Sequence, residues 1–236
     1  MRASVYTDFG TPEVLQLREV EKPVPDKNEI LVRVYASAVN YGDITARNFK
    51  NLPLSQFHMP LIFWLPTRIA FGLNKPKINI LGSEFAGEIE ALGQAVESFQ
   101  VGDQVYGYLG MQMGANAEYI CISENGTVAI KPSNMNYKEA ATLPYGGVMA
   151  LSLLRKANIK EHKKVLINGA SGGIGSIAIQ LTKYFGAEVT GIGSAPRLNY
   201  IKALGADYVI DYKKEDFTKN SKRYDLIFDI RGKLYY

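Results

Sequence analysis

Val165-Leu166-Ile167-Asn168-Gly169-Ala170-Ser171-Gly172-Gly173-Ile174-Gly175 decides how this chain is read. An apolar run, Val165 to Ile167, meets a glycine-rich turn, and Ile174 to Leu181 carries helix-forming residues onward. A strand, a glycine turn and a helix in that order form the setting in which a dinucleotide fingerprint works. Gly172 and Gly173 allow the backbone to approach a pyrophosphate, and Gly175 allows the helix to pack closely on its strand. The helix start then offers free N–H groups and a partial positive charge to phosphates. Against the pattern G-x-G-x-x-G the first glycine position is Ala170, with Gly169 just before it. An ordinary βα turn can carry similar letters, so the flanks matter. Gly186-Ala187-Glu188-Val189-Thr190-Gly191-Ile192 reads as a second strand after a helix of ordinary length, which favours the nucleotide.

The residue ending that second strand reads the adenosine ribose: an acid accepts both hydroxyls of NAD, whereas a cation suits the 2′-phosphate of NADP. Here Thr190-Gly191-Ile192-Gly193-Ser194-Ala195-Pro196-Arg197 contains no acid, since Glu188 lies at the strand's start. Ser194 offers a hydroxyl, and Arg197 offers a guanidinium fork suited to a phosphate dianion. Arg197 also reads as a solvated first-turn residue of the next helix. The missing acid carries more weight, and NADP(H) is the expected cofactor.

Composition sets the frame. The 236 residues are 47% hydrophobic and 21% charged, a balance that supports one large or two modest globular domains. The net charge of +4 is spread along the chain. Lys213-Lys214 and the run from Lys219 to Arg223 are interrupted by Glu215 and Asp216, which reads as a solvated surface and not as a nucleic-acid footprint. The single cysteine, Cys121, sits in the apolar run Tyr119-Ile120-Cys121-Ile122 as a packed strand residue, and its solitude fits a reducing cytoplasm. Met1 to Tyr6 runs directly into a turn with no signal peptide expected. Met59 to Leu73 holds two prolines and Arg68, too short and interrupted for a membrane span, and reads as a core or lid helix.

The first half is strand-rich. Ile30 to Ala36 alternates, and Glu84–Leu92, Gly102–Tyr108 and Ala117–Ile122 read as further strands between glycine turns, which suggests a compact β-barrel-type domain. From Asn136 the pattern changes. Tyr137 to Leu143 and Val148 to Ala157 look helical, with a bend expected at Pro144 and Gly146-Gly147. Strands near 164–168, 188–192, 207–210 and 225–229 then alternate with helices, the mark of a parallel sheet. The expected boundary lies near 130, giving domains 1–130 and 131–236.

Taken together, Ala38-Val39-Asn40-Tyr41-Gly42-Asp43, Gly82-Ser83-Glu84-Phe85-Ala86-Gly87, Val101 to Gly107, Ala141-Thr142-Leu143-Pro144, Ala170 to Gly175 and Leu204-Gly205-Ala206-Asp207 resemble, in order and spacing, the medium-chain dehydrogenase/reductase superfamily in its zinc-free quinone-oxidoreductase-like branch. The resemblance covers the chain to about residue 232. It implies a GroES-like catalytic domain followed by a Rossmann doubly wound parallel sheet, with nicotinamide held in the cleft between them. Zinc-dependent relatives place a cysteine where Asn40 stands and a histidine where Ser83 stands. A catalytic zinc needs three ligands of such types, and His58 and His162 lack ligand spacing, so no metal is expected. The implied activity is NADPH-dependent reduction of quinones or α,β-unsaturated carbonyls, whose carbonyl delocalises the incoming hydride charge onto modest hydrogen-bond donors. Asn40 and Tyr41 are the implied catalytic residues, Tyr41 either as proton donor or as a packed wall residue; Asp43 is read as structural. The resemblance places Thr142 near the nicotinamide ribose and Tyr212 near the 2′-phosphate. Ser171, Gly172, Gly173, Ile174 and Gly175 would hold the pyrophosphate.

Two departures shape the alternatives. Phe49 through Ile78 is longer and more apolar than the usual loop, and Phe57, Phe63, Trp64 and Phe71 read either as a roof over a bulky substrate or as extra core. Only four Rossmann strands can be counted before Tyr236, so the sheet is expected to be incomplete after the fourth strand, with an unpaired edge at 225–229. The alternatives to the leading activity are a cofactor-binding but inactive short form and an enoyl-thioester reductase. A homodimer is one further expectation.

Overall fold

The computed structural model describes residues 1–52, 62 and 64–232, and these divide into compact units Met1–Pro144 and Tyr145–Tyr236. In the first unit β1 (Arg2–Val5) pairs antiparallel with β2 (Gln16–Glu19). The main sheet contains β3 (Glu29–Ala38), β4 (Glu84–Leu92), β5 (Gln104–Tyr108), β6 (Tyr119–Ser123) and β7 (Thr127–Ile130). These strands pair antiparallel in the order β6-β3-β4-β5-β7. Period-two alternation explains the inner face: Ile30, Val32, Phe85, Ile89 and Val105 are fully buried together. Irregularities in the β3–β4 ladder at Leu31/Val32 and Val34/Ala36 bend the sheet. The strands β2 and β7 were not anticipated, because neither carries an apolar inner face: every residue of β2 is exposed, and β7 is mostly exposed.

Two helices branch from this sheet. The first, α1 (Tyr41–Arg47), follows β3 directly, and α2 (Trp64–Phe71) lies within the apolar segment. Phe71 stacks on Phe49 with ring centroids 5.0 Å apart and is buried with Tyr6 and Leu81, which is core packing. Phe57 and Phe63, the other half of the expected roof, lie outside the described residues, as does His58. A short α3 (Tyr137–Ala140) packs on β3 and β4: Tyr137 stacks on Tyr35 at 4.7 Å, and Ala140 and Ala141 bury against Ala86.

The second unit is a parallel sheet of β8 (Lys164–Asn168), β9 (Glu188–Gly193), β10 (Tyr208–Asp211) and β11 (Leu226–Asp229), in the order β10-β9-β8-β11. Its helices are α4 (Pro144–Lys156), α5 (Gly173–Tyr184) and α6 (Leu198–Ala203). One face buries Val165 and Ile167 under Ala150, Ala178, Ile179 and Ile201. On the other, Leu166, Ile192 and Ile210 are covered by Phe217 and Tyr224. Among the described residues β11 ends the sheet, as expected. The expected bend at Pro144 and Gly146-Gly147 requires correction. Pro144 opens α4, where its missing N–H is harmless, and both glycines lie within that helix. A Cβ at Gly146 would meet Ile177 Cδ1 at 2.8 Å and the Gly173 carbonyl oxygen at 3.0 Å, so glycine there serves close packing of α4 on α5.

Candidate cofactor and active-site residues

Strand order reverses at β8, whose neighbours are β9 on one side and β11 on the other. The carboxyl ends at such a reversal form the ligand crevice of open α/β sheets. The glycine turn leaves β8 at that point. Gly169 adopts φ 87°, and the Gly172 N–H donates to its carbonyl at 3.0 Å, which closes the turn. A Cβ at Gly175 would lie 2.2 Å from the Gly169 carbonyl oxygen, so only glycine lets α5 start against this turn. Gly172 caps α5 with no side-chain hydrogen bond. The first intrahelical bond of α5 runs from the Ser176 N–H to the Gly172 carbonyl at 2.9 Å. The N–H groups of Gly173, Ile174 and Gly175 therefore precede the helix's own acceptors. Gly172 and Gly173 are exposed, and a Cβ at Gly173 would meet no described atom within 4 Å. Open backbone at a helix start is a fitting cradle for a diphosphate.

The ends of β9 and β10 gather the candidate ribose and 2′-phosphate residues. The Tyr212 N–H donates to the Gly193 carbonyl at 3.2 Å, which sets Tyr212 beside the end of β9, where Ser194 follows. Ser194 begins a 3-10 turn, Ala195–Arg197, that leads into α6. Arg197 is exposed; its N–H donates to the Ser194 carbonyl at 2.8 Å, and its guanidinium makes no hydrogen bond or ion pair with another described residue. The nearest acid in sequence to Tyr212 is Asp211, whose Oδ1 accepts the Lys213 N–H at 3.1 Å. Lys213 thus joins this group by position. In sequence it reads as solvated surface, because the end of β10 meets the end of β9 only through strand pairing. At the other end of β9, burial opposes ionisation of Asp207, but the Lys183 ammonium at 2.8 Å and the Val189 N–H at 2.7 Å hold its carboxyl below the usual range.

In the first unit, Asn40 caps α1. Its Oδ1 accepts from the N–H groups of Gly42 at 2.8 Å and Asp43 at 3.3 Å, while its own N–H donates to Asp43 Oδ2 at 2.8 Å. Its Nδ2 donates to Ser83 Oγ at 2.8 Å and to Glu84 Oε2 at 3.1 Å. Asp43 Oδ1 accepts the Gly82 N–H at 2.9 Å, in line with its structural reading. Asp43, Ser83 and Glu84 are all buried. Every polar atom of the Asn40 side chain is engaged within the protein, whereas Tyr41 is 65% exposed at the first position of α1. Thr142 donates its hydroxyl to the Glu139 carbonyl at 2.8 Å. Burial pushes the Cys121 thiol up to about 11, which leaves little thiolate at neutral pH.

The described donors around Asn40 offer zinc no cysteine or histidine. The two positions at which zinc-dependent relatives carry Cys and His hold an amide and a hydroxyl bonded to each other. Among the described residues no three His, Cys, Asp or Glu side chains cluster as ligands. No described helix is long and apolar enough to cross a membrane.

Comparison with known proteins agrees with this geometry. Residues 26–132 match the alcohol dehydrogenase GroES-like domain, and residues 173–233 match the zinc-binding dehydrogenase family. The chain is 34% identical over 98% of its length to 2-methylene-furan-3-one reductase of Solanum lycopersicum, covering 57% of that protein. It is 30% identical over 98% of its length to the chloroplastic NADPH-dependent alkenal/one oxidoreductase of Arabidopsis thaliana, covering 58% of it. The solved structure of the quinone oxidoreductase from Coxiella burnetii superposes with a TM-score of 0.83 at 33% identity, covering 98% of this chain and 68% of that one. The chain belongs to the medium-chain dehydrogenase/reductase superfamily, in its quinone-oxidoreductase-like branch. It spans under three fifths of the length of the two plant relatives.

Proposed function

We propose that this chain carries the cofactor-binding and proton-donating residues of an NADPH-dependent reductase of quinones or α,β-unsaturated carbonyls, working without a metal. The observation that carries the reading is the open, glycine-capped start of α5 at the strand-order reversal. The names of the relatives, an alkenal/one oxidoreductase and a furanone reductase, support the substrate class.

The backbone N–H groups of Gly173, Ile174 and Gly175, with Ser171 and Gly172 in the turn, would hold the diphosphate. Ser194, Arg197, Tyr212 and Lys213 would hold the ribose and its 2′-phosphate, with Arg197 supplying the planar cation that such a dianion favours. Thr142 would serve the nicotinamide ribose. When bound, NADPH supplies a hydride to the carbon β to a carbonyl. Tyr41 then gives a proton to the resulting enolate, directly or through water, while Asn40 fixes the backbone on which Tyr41 stands. The phenol suits this role because a neutral O–H both stabilises the developing oxyanion and yields its proton.

Turnover of NADPH with a panel of simple quinones, enones and acyl-thioesters tests the reading. Quinone or enone reduction unaffected by chelators supports it, and so does a thermal shift larger for NADPH than for NADH. Folded protein that binds NADPH but reduces none of them sinks the catalytic half; reduction of acyl-thioesters alone would replace the substrate class.

A further inference from the structure

Asn40 faces two demands at once. Its amide oxygen is taken by the N–H groups of Gly42 and Asp43, so its nitrogen must point away from α1 and needs acceptors there. Ser83 and Glu84, 43 and 44 residues along the chain, supply them. Glu84 opens β4, Ser83 directly precedes it, and both are only 4% exposed, so the two acceptors are shielded from water. The bonds of Asn40 bracket Tyr41: the Asn40 N–H reaches Asp43 Oδ2 just before it, and the Gly42 N–H returns to Asn40 Oδ1 just after it. Asp43 Oδ1 adds a third tie, to the segment leading into β4, through the Gly82 N–H. A helix cap by itself needs only a side-chain acceptor, which Asp, Ser and Asn provide about equally. Of these only Asn carries its acceptor and an N–H donor on separate atoms, so it can cap the helix and donate elsewhere at once, and here the donor faces the buried Glu84 carboxyl group.

We infer that Glu84, assisted by Ser83, is a positioning residue: it locks the orientation of the Asn40 amide and so holds Tyr41 in one place for proton delivery. The inference rests on the proposed role of Tyr41. It separates capping, which is a matter of stability, from orientation, which is a matter of rate.

The test exploits that separation. Asn40→Asp keeps a good cap but replaces the donor with a second acceptor facing Glu84. Adding Glu84→Gln restores the bond with donor and acceptor exchanged. Hydrogen exchange over residues 40–47 should rise at least tenfold in Asn40→Asp and return to near the wild-type rate in the double variant. In turnover, Asn40→Asp should lower kcat about tenfold, as a small misplacement of a catalytic group does, with KM for NADPH unchanged; the double variant should recover most of that loss. In a Tyr41→Phe background neither substitution should lower kcat further. Where Asn40→Asp does not fold, Glu84→Gln alone serves: a severalfold drop in kcat that vanishes in the Tyr41→Phe background supports the inference. Unchanged exchange in Asn40→Asp, a double variant no better than the single one, or losses that add to that of Tyr41→Phe would overturn it. A wild-type chain that turns over no acceptor removes the functional reading, while exchange over 40–47 still decides the lock.

Discussion

The starts of α1 and α5 begin the same kind of element in opposite ways. At α1 an asparagine side chain closes a capping box, and the helix is tied to β4 by buried groups. At α5 the cap is Gly172, which has no side chain to close anything, and the first N–H groups are left for something else. Every helix start leaves orphan donors; what differs is whether the protein or a ligand takes them. A start closed from within is a rigid platform, fit to carry an exposed residue such as Tyr41. An open start is a receptor for negative charge.

The largest effect is expected from closing the open end by force. Gly175→Val places carbon atoms where the Gly169 carbonyl already lies, so the turn must open. We expect NADPH binding to vanish and stability to fall by about 3 kcal/mol, as overpacking does, both read from thermal denaturation with and without cofactor. Gly172→Asp closes the same end chemically. Gly172 has φ −82° and ψ 172°, which any residue adopts, so stability should move by only a few tenths of a kcal/mol. The carboxylate would nonetheless repel the diphosphate, and NADPH affinity measured by fluorescence titration should fall about 100-fold. If affinity holds, α5 is not the receptor.

Opening the closed end should act on stability instead. Asn40→Ala removes the cap and the Nδ2 donor shared by Ser83 and Glu84, at a cost of about 2 kcal/mol. Hydrogen exchange should rise across α1 and stay unchanged across α5. Arg197→Ala tests the rim of the open site: the NADPH preference over NADH should drop about tenfold, the worth of one charge-assisted contact. The smallest effect belongs to the far end of α5. Asp207→Asn should cost roughly 1 kcal/mol or less, because the Lys183 pair is a third exposed. The Asp207 carboxyl is held below its usual range in the folded state. Its contribution is therefore present at neutral pH and is lost as pH falls through about 4 and below. The gap between variant and wild type in urea denaturation should close in acid.

Much of the α5 site was legible in sequence, because it is built from neighbours. Gly172, Gly173 and Gly175 occupy their places through local backbone geometry, and spacing alone reports that. Lys213 did not stand out as a candidate, since only the pairing of Asp211 with Gly193 brings the end of β10 beside the end of β9. Glu84 was quoted only as part of a motif; no periodicity announces that a carboxyl group at the start of β4 will meet the amide that caps α1. The strands β2 and β7 escaped for a related reason: both are largely exposed, and exposed strands carry no alternating signal.

What residues in a row determine here is backbone shape: the alternation that makes β3 a strand, the glycines that bend β8 into α5, and the lack of an acid after Gly193. What tertiary structure decided is who meets whom: the reversal of strand order at β8 and the hold of Ser83 and Glu84 on Asn40. Short-range sterics act between adjacent residues and can be read in order. A hydrogen bond across 44 positions depends on strand register, which exists only once the sheet has formed.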